Sequence, residues 1–209
     1  MQGLIGKKLG MTQVYDANGH HIPVTVIEVG PCVVLQRKIA ARDGYEAVQV
    51  GYLDQKPQRV NKPQAGHFKK AGVTPKKIVK EFRVDASNAA KEGDTLTAEI
   101  LEGVTYVDVL GMTKGQGFQG VMKRHGMAGQ PAAHGHTMHR RPGSIGMRTT
   151  PGRIFKNKRL PGHMGHVNIT MPNLKVVQLR KEDHAILVHG AVPGPTGTIV
   201  VVRKALKKG

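Results

Sequence analysis

A mainly β protein, with a small α+β insertion and one long irregular loop, is the fold class this sequence predicts, and three observations carry the prediction. Short runs of β-branched and aliphatic residues recur at regular spacing through the first half of the 209-residue chain and again near its end, separated by Gly, Asn and Asp turn signals, as in barrels and sandwiches. At 39% apolar residues the chain can bury a core, and with no Trp and only four Tyr and four Phe that core must be aliphatic. Between about Gly111 and Gly165 the periodicity vanishes into Gly, Pro, His and basic residues. Structureless loops longer than ~15 residues are rare in compact domains unless they are functional or disordered.

The elements follow in order. Residues 11–15 lead into Asp16-Ala17-Asn18-Gly19, where Asn-Gly favours a tight hairpin turn, and residues 22–29 follow with Ile22, Val24 and Val26 on one face. Residues 32–39 are a further β-rich run, and Arg42-Asp43-Gly44 turns the chain into residues 45–52. The lone Cys32 rules out an internal disulfide framework and suits a reducing cytosol; its apolar neighbours predict a small buried core residue. From about Gln55 the pattern changes. Residues 62–71 predict a short helix opened by Pro63 and ended by Gly72, with Lys69 and Lys70 near its negative end. Residues 77–84 predict a strand, and strand signals resume at 95–100 and 105–110. Beyond the irregular stretch come strands at 167–171, 174–180, 185–189 and 199–203, with a turn at Glu182-Asp183. The loop is therefore bracketed by β-structure at both ends.

A net charge of +18 opposes compaction and predicts a polyanionic partner that screens it. No apolar run is long enough to cross a bilayer and no signal-peptide pattern is present, so no membrane partner is expected and the mature chain is expected to begin at Met1. The charge is segregated. Residues 1–108 hold 15 Lys/Arg against 12 Asp/Glu, whereas residues 109–181 hold 13 Lys/Arg and no acid; residues 182–209 add 4 and 2. A solvated surface mixes both signs, so the acid-free stretch predicts a segment that touches a polyanion.

The densest basic cluster runs from Met138 to Arg153 and continues through Lys156, Lys158 and Arg159. Arginine forks match phosphate bidentately and stack on bases, while Gly and Pro allow close backbone approach. RNA helices are read largely by shape and backbone, so a thin, basic, irregular strand suits folded RNA. The plain alternative is a disordered basic linker, against which Ile145, Met147, Ile154 and Phe155 weigh. Gly115-Gln116-Gly117-Phe118-Gln119-Gly120 fits G-x-G-x-x-G, but a dinucleotide site also needs a helix there and an acid ~20 residues on, and no acid occurs before Glu182. Residues 114–118 echo an RNA-recognition-motif signature, yet Gln116 and Val121 stand where stacking aromatics belong. His134, His136 and His139, with His163 and His166 nearby, invite a metal; without Cys, Asp or Glu beside them, and within fixed positive charge, no metal is expected. Ser144 lacks a paired acid and the carboxylates show no dyad pattern, so neither catalysis, a cofactor nor a small-molecule substrate is expected.

Several segments together resemble the bacterial form of the universal large-ribosomal-subunit protein three family. They are residues 3–12 (GLIGKKLGMT), 22–27 (IPVTVI), 43–45 (DGY), 61–63 (NKP), 66–68 (GHF) and 81–83 (EFR) in the first half. In the loop they are Thr113-Lys114-Gly115, Gly117-Phe118, Gly120-Val121, Lys123-Arg124, residues 141–146 (RPGSIG), 150–153 (TPGR) and 162–165 (GHMG), and near the end residues 190–194 (GAVPG). The likeness runs in order along essentially the whole chain.

The resemblance implies a translation-factor-like β-barrel with an α+β insertion and a long extended loop. On this chain the barrel is expected at 1–54, 95–125 and 166–209, the insertion at 55–94 and the extended basic loop at 126–165. It implies a structural constituent of the large ribosomal subunit that binds large-subunit ribosomal RNA directly and helps nucleate assembly. Its cytoplasmic neighbours would be large-subunit proteins fourteen and nineteen, and its loop would reach toward the peptidyl transferase centre. Candidate RNA contacts are Lys7, Lys8, Lys114, Lys123, Arg124, His125, His139, Arg140, Arg141, Arg148, Arg153, Lys156, Lys158, Arg159 and His163, with the tip at Met147, Arg148 and Thr149. Two departures matter. Some relatives carry a side-chain-methylated glutamine where this chain has Thr149, which has no amide to modify. Some have an aromatic where this chain has His125, so a hydrogen bond or weaker stack is expected there. The competing readings are an RNA-modifying enzyme with a basic guide loop, which needs a pocket or dyad the sequence lacks, and a DNA-compacting protein, which rarely needs so long a loop within one barrel.

Overall fold

A computed structural model describes residues 3–84 and 90–208. These divide into two compact units, Met1–Met112 with Asn168–Gly209, and Thr113–Val167. The first unit holds a closed antiparallel barrel and a four-stranded sheet. The barrel strands are β1 (Gly3–Tyr15), β2 (His21–Val29), β7 (Tyr106–Met112), β10 (Asn168–Arg180), β11 (Ala185–His189) and β12 (Ile199–Lys204), in spatial order β1-β12-β7-β10-β11-β2. The sheet order is β5-β4-β3-β6, from β3 (Cys32–Lys38), β4 (Ala47–Asp54), β5 (Lys76–Arg83) and β6 (Thr95–Leu96).

Residue alternation fills the barrel. Leu4, Val202 and Val109 stand opposite one another across β1, β12 and β7, and all are fully buried. Ile27 faces Ile186 across β2 and β11. Gly6 keeps the β1–β2 seam closed, because a Cβ there would sit 2.5 Å from the Glu28 carbonyl oxygen. The β1–β2 turn forms at the expected Asn-Gly: Asp16 accepts the Asn18 and His20 N–H groups, each at 2.9 Å, and Gly19 takes φ +80°. The aliphatic core runs on without a break into the second sheet through Val34, Val48, Val50 and Tyr52. Cys32 is buried as expected, its thiol facing the Ile5 carbonyl at 3.5 Å and pushed up to about 11 by burial.

Four features differ from the sequence reading. Residues 32–38 and 47–54, grouped with the barrel, pair instead in the second sheet; Gly30, at φ +75° and tight against the Leu96 carbonyl, turns the chain out of the barrel. Sequence alternation does not tell which sheet a strand joins. At residues 95–100 only Thr95–Leu96 is strand, because Ala98–Leu101 winds into a 3-10 turn that buries Ala98 and Leu101 three residues apart. The two strands expected at 167–171 and 174–180 are one, β10, kinked where its register shifts between Met171 and Leu174. There Asn173 takes φ +56° and donates its N–H to buried Asp108 at 2.9 Å, replacing the lost ladder partner. Arg42-Asp43-Gly44 closes a short helix, α1 (Ala40–Asp43), with Gly44 at φ +80°. The predicted helix in the insertion is present as α2 (Lys62–Lys70), with Pro63 in its first turn, Phe68 buried and His67 bonded to Gln49 at 2.6 Å. The part of the insertion at 85–89 lies outside the described residues.

Two lysine–carboxylate pairs tie β5 to its sheet: Lys76 to Asp54 at 2.7 Å and Lys38 to Glu81 at 2.9 Å, the latter with Tyr45 donating its hydroxyl to Glu81 at 2.9 Å. The hydrogen bond from Lys38 holds the Glu81 carboxyl below its ordinary range, and that from Lys76 does the same for Asp54. A depressed carboxylate stabilises the fold fully above its unfolded value, and that stabilisation fades as pH falls through the folded one. Thermal melts between about pH 6 and pH 3 should therefore show a falling Tm, small per pair because the pairs are solvent-facing. Glu81→Gln should remove part of that acid sensitivity; a variant with the wild-type dependence would discard this account of β5.

Candidate nucleic-acid interface

The unit Thr113–Val167 runs from the end of β7 to the start of β10, and its two arms stay paired. Thr113 donates its N–H to Val167 O at 2.9 Å and Gln116 to Met164 O at 2.9 Å. Two short strands, β8 (Gly117–Gln119) and β9 (Gly162–Met164), continue the ladder with Phe118 opposite His163. Gly165 sits at φ +76° against the Lys114 carbonyl, where no larger residue fits. A helix of five residues, α3 (Val121–His125), then starts after Gly120 and stops at Gly126 in the left-handed conformation. From it Arg124 Nη1 donates to Leu160 O at 2.6 Å and His125 Nε2 donates to the same oxygen at 3.0 Å. The Arg124 guanidinium lies over Gly162, 2.8 Å from where a Cβ would be. His125, where some relatives have an aromatic, thus has its Nε2 on a carbonyl of the chain itself.

Beyond the clasp the chain has no regular structure, and local turns shape it. Gln130 donates its N–H to His139 O at 2.7 Å, and Gly129, at φ +80°, packs on the same carbonyl. His134 and His139 take φ +58° and +40°, conformations that non-glycine residues adopt rarely. Gly146 passes beside the Arg153 carbonyl, so the chain reverses between them. Residues 143–148 and 152–154 line a concavity of about 470 Å³, and Met147 stands 74% exposed at its rim. Ser144 spends its hydroxyl on Gly146 O at 2.8 Å. Periodicity is absent from the sequence between about Gly111 and Gly165 because β8, α3 and β9 are too short to leave a periodic trace.

The expected contact residues separate into three groups. Lys114, Lys123, His139, Arg140, Arg141, Arg148, Arg153, Lys156, Lys158, Arg159 and His163 are all exposed, as is Thr149. Arg124 and His125 are half-buried and joined to Leu160, so their first task is to hold the arms together. Lys8 departs from the reading as a surface contact. It shares the inward face of β1 with Leu4 and Gly6, and its buried ammonium donates to Val192 O at 2.8 Å and Gly194 O at 2.9 Å. Lys7, on the opposite face, is half-exposed. Ile5, on the face of Lys7, is as fully buried as Leu4, so alternation in β1 does not by itself separate the two lysines. The G-x-G-x-x-G stretch does precede a helix, but one of five residues with no acid within the unit to bind a ribose. Thr113–Val167 carries ten Lys/Arg and no Asp/Glu, so no internal carboxylate can neutralise it.

Comparison with known proteins agrees with the residue-level likeness. The family model for ribosomal protein L3 matches residues 55–208. The large ribosomal subunit protein uL3 of Corynebacterium jeikeium is 52% identical over 210 residues, covering 100% of this chain and 96% of that protein. Those of Alkaliphilus metalliredigens and Deinococcus radiodurans are 50% and 51% identical over 209 and 208 residues, covering 100% and 99% of this chain and 100% and 96% of theirs.

The clasp makes a forecast. Arg124→Ala removes a charge-assisted bond, worth about 1.5–3 kcal/mol, from a partly buried carbonyl. Hydrogen exchange should quicken at residues 113–125 and 160–167 while the barrel strands keep their protection. Unchanged exchange at β8 and β9 would mean that Arg124 does not hold the arms.

Proposed function

This chain belongs to the ribosomal protein L3 family, and from that membership we propose that it binds large-subunit ribosomal RNA directly through the unit Thr113–Val167. It is a structural, non-enzymatic component of the large ribosomal subunit, and its place in the cell is the cytoplasmic ribosome. The observation that carries the RNA reading is the charge of that unit: ten cations without one acid, nine of them exposed, on a backbone shaped by turns. Folded RNA is the partner such a surface fits. Each phosphate met by a Lys or Arg releases condensed counterions, and arginine forks can close on phosphate oxygens or lie on bases. Glycines at positive φ and prolines keep the strand thin enough to pass between RNA segments.

The finer reading follows the family. The protein helps nucleate subunit assembly, lies beside large-subunit proteins fourteen and nineteen, and directs Met147, Arg148 and Thr149 toward the peptidyl transferase centre. The exposed reversal between Gly146 and Arg153 is compatible with such a tip.

Two experiments test this. Deleting residues 126–158 removes six Lys/Arg, so the log–log dependence of RNA affinity on salt should become shallower by up to about 4–5, at ~0.7–0.9 per phosphate. An unchanged slope, with the barrel folded, would dispose of the charge reading. Arg148→Ala should leave particles assembled and slow peptide-bond formation only modestly, with altered drug protection of the catalytic RNA. A loss of about 100-fold or more with normal assembly would point instead to chemistry at this residue. A wild-type rate with a wild-type drug footprint would move the tip elsewhere.

A further inference from the structure

We propose that Phe118, with His163 beside it across the β8–β9 ribbon, is a stacking platform for an unpaired RNA base. Phe118 is 77% exposed, more than any other large apolar side chain among the described residues. The chain has only eight Phe and Tyr and no Trp, and an aromatic ring left in water on a polar ribbon forfeits the burial that normally keeps Phe inside. Phe118 and His163 are direct cross-strand partners, so both side chains leave the same face of the ribbon. The other face belongs to Gln119, Gly162 and Met164, and there the Arg124 guanidinium lies over Gly162. One face is thus filled from α3 and the other is open.

The backbone that carries the ring is also held. Gln116 donates its N–H to Met164 O at 2.9 Å, the Gln119 side chain returns to Gln116 O, and Gly117 turns the strand at φ +68°. A platform set on a fixed backbone orders little when it binds, so most of the stacking gain is kept. Charge selects the occupant. Lys114 and Lys123 are exposed nearby, and the whole unit is acid-free. An apolar protein surface would meet uncompensated cations here, whereas RNA brings a π-face for the ring and phosphates for the lysines. Bases splayed from loops and bulges stack on Phe and His in this way, whatever their identity.

The inference rests on the RNA-binding reading but can fail separately from it. Full-length wild type, Phe118→Ala, Phe118→Leu, Phe118→Tyr and His163→Ala are titrated with deproteinised large-subunit ribosomal RNA over a salt series. Phe118→Ala and Phe118→Leu should weaken binding on the order of 5- to 100-fold without changing the salt slope, because a stack releases no counterions. Phe118→Tyr should bind like wild type, and His163→Ala should lose less than Phe118→Ala. Phe118→Leu binding as tightly as wild type would overturn the stack in favour of a plain apolar contact, and an unchanged Phe118→Ala would overturn any contact. As a second readout, a photoreactive phenylalanine at 118 in assembled subunits should cross-link to RNA; cross-linking to protein would overturn the platform and leave the RNA-binding reading standing. A wild-type protein without salt-dependent RNA affinity would sink both.

Discussion

Everything distal in the unit Thr113–Val167 depends on keeping its two ends side by side. The unit has no acid to attract its cations inward and only Val121 buried among its large apolar residues, so neither ion pairing nor a hydrophobic core can hold it. What holds it is a short run of directional bonds: Thr113 to Val167, Gln116 to Met164, the three β8–β9 pairs, then Arg124 and His125 on Leu160. Each bond is worth only ~1 kcal/mol net, and more where a charge donates, yet fixing a residue costs a similar amount. The ladder therefore has to be continuous from its first pair, and glycine is needed where it is tightest. At Gly165 the left-handed backbone and the Lys114 carbonyl both exclude a side chain.

The first unit solves the opposite problem. It has 22 Lys/Arg but also all 14 Asp/Glu of the chain, and it uses them. Lys38, Lys76 and Lys181 each meet a carboxylate, and Lys8 satisfies its buried ammonium on two carbonyls of the 190–194 turn, where Thr25 also donates to Gly190 O at 2.6 Å. These cations of the first unit have carboxylate or carbonyl partners, whereas no cation of Thr113–Val167 has a carboxylate within its own unit. A lysine's place in the sequence says little about its role until its face and partners are known.

That difference explains what could be read in advance. The barrel strands, the Asn18-Gly19 turn, the α2 helix with Pro63 and the burial of Cys32 follow from alternation, turn chemistry and local composition, all carried by neighbouring residues. The acid-free stretch needed only counting. Less legible were features set by residues far apart in sequence: β3 and β4 leaving the barrel for a second sheet, Asp108 reaching Asn173 across the β10 kink, and Arg124 meeting Leu160. Elements as short as β8, α3 and β9 carry too few residues to show a period. Their pairing partners lie about 45 residues along the chain, as Phe118 and His163 do.

A surface that must enter a narrow, negatively charged space cannot be built on a core, because a core requires at least two packed layers. Turns are the alternative. Gly129, Gly135, Gly143 and Gly152 take positive φ, and so do His134, His139 and Asn157. Each fixes the direction of the chain locally without needing anything packed behind it. Non-glycine residues held this way cost on the order of 1 kcal/mol each, a cost that persists only where the surroundings impose the shape. Repulsion among ten cations adds to it in the free protein. Both burdens would ease if phosphates took up the positive charge, so the residues that make Thr113–Val167 a poor domain by itself are the ones the proposed RNA contact uses.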